Sequence, residues 1–145
     1  MDDEKLKVEF GQPEHGWLPV DIQIGNFQLK FETSDVPINP IEQLISAIRE
    51  ITKGNNAEVW WHLEPAGYYF DFDKLDSTYK LTILFEKADK TDKEIIFQTE
   101  GSYEVLILPF FKAIKKFVSL AYDEPHWPKT AEIEIKQLTD LVKAN

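Results

Sequence analysis

The 145-residue chain contains no cysteine. Disulfides, thiolate nucleophiles and Cys-ligated zinc or iron–sulfur centres are thereby excluded together. Glycine is also scarce. Its six residues are scattered singly, and Gly54 precedes Asn-Asn where a phosphate loop needs Lys followed by Ser or Thr. None of Ser34, Ser46, Ser77, Ser102 and Ser119 stands in a Gly-x-Ser-x-Gly elbow. The longest apolar run, Val105 to Phe111, is broken by Pro109 and is far shorter than the ~20 residues a spanning helix needs. Met1-Asp2-Asp3-Glu4-Lys5 is acidic and lacks the basic-then-apolar order of a signal peptide. These absences set the expectation: a soluble, cytoplasmic protein with no membrane contact, no cofactor and no familiar catalytic route.

What is present is acid. The formal charge is −10, from 16 basic and 26 acidic residues. Its distribution is uneven: residues 1–73 hold 14 acids and 5 bases, residues 74–145 hold 12 and 11. A phosphate backbone would be repelled by the first half, so nucleic acid is not an expected partner. A basic protein would be attracted and steered toward it. The apolar fraction of 43% and charged fraction of 29% are those of a globular chain, and its length suits one domain over residues 1–145.

Periodicity orders the chain as strands, a helix, more strands, then helices. In Val20–Glu32, Ile22, Ile24, Phe27, Leu29 and Phe31 alternate with polar residues about Gly25-Asn26. A two-residue II′ or I′ turn there pairs Ile24 with Phe27, Ile22 with Leu29 and Val20 with Phe31 on one face. Leu6–Phe10 reads as a further strand. Pro40 to Lys53 reads as a helix, with Asn39 as N-cap, Glu42 at N3, an Ile41/Leu44/Ile45/Ile48/Ile51 stripe and Gly54 at C′. Val59–Leu63 and Tyr68–Phe72 flank a turn at Glu64-Pro65-Ala66-Gly67. Two more strands, Tyr79–Phe85 and Ile95–Phe97, surround the charged loop Ala88–Lys93. Phe110, Phe111, Ile114, Phe117, Val118 and Ala121 fit a core-facing helix, with Val105–Leu108 either its first turn or a short strand. A last helix spans about Thr130–Lys143, and Trp127 is expected to staple its start. The fold class is therefore α+β: an antiparallel sheet of about five to seven strands with two or three helices mainly on one face.

If the 64–67 turn closes symmetrically, Leu63 faces Tyr68, Trp61 faces Phe70 and Val59 faces Phe72. The other face then sets His62 beside Tyr69, Trp60 beside Asp71 and Glu58 beside Asp73. Those six side chains combine aromatic anchors with carboxylates, the composition of a protein-binding patch; a solvated sheet face is the bland reading, and a one-residue bulge would exchange the faces. Each of His15, His62 and His126 has an acid within two residues, yet none has a metal-ligand spacing. Asp71 and Asp73 share one side of a regular strand and, with His62, form the alternative of a small hydrolase or metal-dependent enzyme. Lys112, Lys115 and Lys116 line the polar side of the Phe110 helix and read as a solvated face. A homo-oligomeric structural domain is the third alternative. The leading expectation is a non-catalytic protein-binding module. In size, acidity and missing motifs it is similar to small acidic bacterial proteins that neutralise other proteins, immunity proteins of toxin systems among them, although no segment carries a family motif.

Overall fold

The computed structural model describes residues 5–87, 92–120, 122 and 126–145. Strands β1 (Lys7–Phe10), β2 (Trp17–Ile24) and β3 (Phe27–Ser34) form an antiparallel sheet in that order. The register of β2 with β3 follows from the turn: Ile24 opposes Phe27, Ile22 opposes Leu29 and Val20 opposes Phe31. Gly25 has φ 57° while Asn26 is not in the positive-φ region, as a II′ turn requires.

Helix α1 (Pro40–Thr52) begins where the Asn39 side chain accepts a hydrogen bond from the Ile41 N–H at 3.0 Å. It ends in a Schellman motif. Gly54, at φ 97°, donates to the Ile51 carbonyl, and Asn55 donates to that of Glu50. The predicted stripe of Ile41, Leu44, Ile45, Ile48 and Ile51 is buried throughout. Strands β4 (Ala57–His62), β5 (Gly67–Lys74), β6 (Tyr79–Glu86) and β7 (Lys93–Gly101) follow as an antiparallel meander. Residues 88–91 of the expected charged loop lie outside the described residues.

Val105–Leu108 is helical. A single turn, α2 (Tyr103–Leu106), is capped by Ser102, whose Oγ accepts from the Val105 N–H at 3.2 Å. Helix α3 (Leu108–Val118) carries Pro109 in its first turn, where a missing N–H leaves no hydrogen bond unmade. Phe110, Ile114 and Phe117 of its stripe are buried, and Ala121 lies outside the described residues. Helix α4 (Glu132–Ala144) buries Leu138 and Val142. Trp127 is fully buried in the core that α4 helps to close, which suits the staple and leaves no exposed indole for a contact.

The α+β class with seven antiparallel strands is thus realised, divided between two sheets where the pattern alone suggested one. Their relation is readable along β3. Phe27 stacks on Phe97 of β7, with centroids 4.1 Å apart. Phe31 packs on Tyr68 and Phe70 of β5 and on Trp61 of β4. Thr33 Oγ1 then donates to the His62 carbonyl at the end of β4. Strand β3 therefore crosses the inner face of the second sheet from β7 to β4. Val59, Trp61, Phe70, Phe72, Leu81 and Ile83 of that inner face share one buried cluster with α1, α3 and the first sheet.

The two edges of the second sheet differ. At β4 the Trp60 N–H donates to Gln43 Oε1 of α1 at 2.7 Å. At β7 the ladder shifts register: Ile83 opposes Phe97 but Leu84 opposes Ile95, so Ile96 is an extra, bulged residue. No described helix is long and apolar enough to cross a membrane.

Candidate functional site

The β4–β5 hairpin places the six singled-out residues together, in a register different from the symmetric one. Trp60 opposes Tyr69, Glu58 opposes Asp71, and His62 opposes Gly67. The turn is one residue earlier than expected: the Leu63 N–H donates to the Ala66 carbonyl at 2.7 Å, and Gly67 opens β5 instead of closing the turn. In this register Gly67 makes a close approach to Trp60. A Cβ on residue 67 would stand 2.8 Å from the Trp60 indole nitrogen, so only glycine lets that ring lie across the strand. The resulting shift is two residues, and because side chains alternate with period two, it keeps every side chain on its predicted face. Val59 and Trp61 point inward with Phe70 and Phe72; Glu58, Trp60 and His62 point outward with Tyr69, Asp71 and Asp73.

The outer face carries a row of rings. His62 and Trp60 have centroids 4.7 Å apart, and Trp60 lies nearly parallel to Tyr69 at 6.2 Å. Lys93 of β7 completes the row, its ammonium 3.7 Å from the Tyr69 ring centroid, a cation–π distance. The His62 Nδ1–H donates to the Val36 carbonyl at 2.8 Å, which fixes the ring orientation. Tyr69 donates to Glu86 Oε1 at 2.9 Å. Burial, that hydrogen bond and the Glu86 and Glu58 charges push its phenol up to about 12, so it stays a neutral donor.

Beside the row lie the carboxyls. Asp71 is pushed up to about 7, chiefly by burial, then by the hydrogen bond and charge of Glu58 and by the charge of Asp73, with Lys93 pulling the other way. The second Asp71 oxygen, Oδ1, is buried without a partner. Neither Glu58, Asp71 nor Asp73 forms an ion pair within 4.0 Å among the described residues; the ion pair found there is Lys136–Asp140 on α4.

The sequence pattern did not bring in Lys93, Glu86, Leu84 or Ile95, which the meander adds to the same face. Alternation of Lys80, Thr82, Leu84 and Glu86 along β6 was a usable signal; for Lys93 the Ile96 bulge breaks the alternation that would have placed it. The hydrolase arrangement does not form. His62 is opposite Gly67 and Asp71 four residues further along β5, about 13 Å at ~3.3 Å per residue. Among the described residues no three His, Asp or Glu side chains are grouped to hold a metal ion. His15 and His126, far apart in sequence, do meet: their centroids are 4.8 Å apart, and His126 Nδ1 accepts from the His15 N–H.

Lys112 and Lys116 line an open cavity of about 550 Å³ along β1, together with Lys5 and Lys7, but Glu9, Asp21 and Glu104 line it too. The outer face of β4–β7 is instead an open surface of rings and carboxyls, suited to a macromolecule more than to an enclosed small ligand. No family model, curated protein or solved structure matches the chain.

Proposed function

We propose that this chain is a non-catalytic protein-binding module, of the inhibitor or immunity kind, that recognises a basic protein through the outer face of β4–β7. One observation carries the reading: Glu58, Trp60, His62, Tyr69, Asp71 and Asp73 share one face, and its three carboxyls make no ion pair within 4.0 Å among the described residues. Aromatic rings supply contact area at low entropic cost, and unpaired carboxyls supply charge complementarity and steering. The excess of acid in residues 1–73 extends the same field beyond the face. The reading treats the chain as one domain working in a bacterial cytoplasm.

Capture from a lysate of the source organism tests it, with wild type beside the Asp71→Lys/Asp73→Lys double variant after circular dichroism has verified that both fold. The expected result is a basic protein held by wild type, lost by the variant and weakened at high salt, since surface charges are screened beyond ~8–10 Å at physiological ionic strength. Equal retention by the variant would overturn the assignment of this face.

A further inference from the structure

The deeper inference rests on that reading and concerns what the partner presents. Lys93 is exposed, yet its ammonium is seated on the Tyr69 ring without a carboxylate within ion-pair distance. The chain thus holds one cation on its own aromatic row, at the margin of a carboxyl cluster that makes no ion pair among the described residues. The charged groups near this position are Glu86, opposite Lys93 on β6, Asp71, two residues from Tyr69 on β5, and Glu58, opposite Asp71 on β4, whereas Asp73 and Lys80 face each other further along the sheet. Among the nearer groups, three acids stand beside the one base, Lys93. A second cation is therefore attracted to the position that Lys93 fills.

We propose that Lys93 is an intramolecular placeholder, and that an arginine or lysine side chain of the partner displaces it from the Tyr69 ring when the complex forms. The geometry favours exchange over addition. The Tyr69 hydroxyl is held by Glu86 and the ring is flanked by Trp60, so the surface taken by Lys93 is the one left for a cation. An exposed cation–π contact is weak, so the placeholder is easily released. It keeps the ring from standing bare in the free protein, and it makes the site selective for cations that bind better than a tethered lysine does.

The test uses a defined probe, acetyl-Ala-Arg-Ala-amide, titrated into wild type and Lys93→Ala while the Trp60 indole and Tyr69 ring resonances are followed by NMR. The same peptide with citrulline in place of arginine keeps the shape and removes the charge. Lys93→Ala is expected to bind the arginine peptide about two- to five-fold more tightly than wild type, the equivalent of one exposed cation–π contact. Tyr69→Leu should abolish that difference, and the citrulline peptide should move neither resonance. Unchanged or weaker binding by Lys93→Ala would show that Lys93 does not compete, and would overturn the placeholder. Absence of any shift at Trp60 and Tyr69 in both proteins would overturn the entry of a cation at this point. Capture with the Asp71→Lys/Asp73→Lys variant decides the module reading separately, so the two can fail independently.

Discussion

Asp71 is the residue whose chemistry departs furthest from its ordinary range, and its effect on stability has a definite sign. With its folded pKa raised from 3.8 to about 7, the folded and unfolded chains are both protonated at this site below about pH 4. Between about 4 and 7 the unfolded chain has released a proton that the folded chain keeps, so stability falls as pH rises through that window and is level above it. Asp71→Asn keeps the shape and removes the titration. Thermal unfolding from pH 4 to 8 should show the variant gaining on wild type as pH rises, with the largest advantage near pH 8. A constant offset between the two curves would contradict the raised Asp71 pKa.

Among the elements, the β4–β5 hairpin shows best what a pattern conveys and what it omits. The β2–β3 hairpin is legible to the residue pair, because a two-residue loop with glycine at its first position leaves one register. Helix α1 is equally legible, since its cap, stripe and terminal glycine are local signals. In β4–β5 the faces are predicted correctly and the partners are not. Gly67 reads as a turn residue, whereas in β5 the Trp60 indole lies against it, a contact that no local pattern announces. Gly67→Ala is expected to force the indole aside and cost about 1–3 kcal/mol, measured by urea unfolding, with the Trp60 indole resonance displaced. A variant as stable as wild type, with that resonance unmoved, would show that the ring does not need the glycine. The division into two sheets was illegible for a related reason: it rests on contacts such as Phe27 on Phe97, seventy residues apart. Strand count and class survive without such contacts, whereas the arrangement of the strands does not.

For the whole molecule, the crossing of β3 over the second sheet joins both sheets and the helices in a single buried cluster. One cluster implies one cooperative transition. Urea unfolding followed by tryptophan fluorescence and by far-ultraviolet circular dichroism should give coincident curves. Phe70, fully buried and in contact with Trp61, Phe31 and Phe110, lies where the layers meet. Phe70→Ala should lower stability by about 3–5 kcal/mol, a large part of the ~5–15 kcal/mol typical of a domain, and shift both curves together. Separate transitions would divide the chain into independently folding parts. The ends of the second sheet bear on a different property of the molecule in a crowded solution. Gln43 occupies the backbone donor of Trp60 at one side, and at the other the Ile96 bulge interrupts a strand that also carries Lys93, Glu94 and Glu100. A sheet stoppered on one flank and crooked and charged on the other is a poor template for end-to-end growth, so the molecule can leave a broad aromatic face open to a partner without seeding fibres of itself.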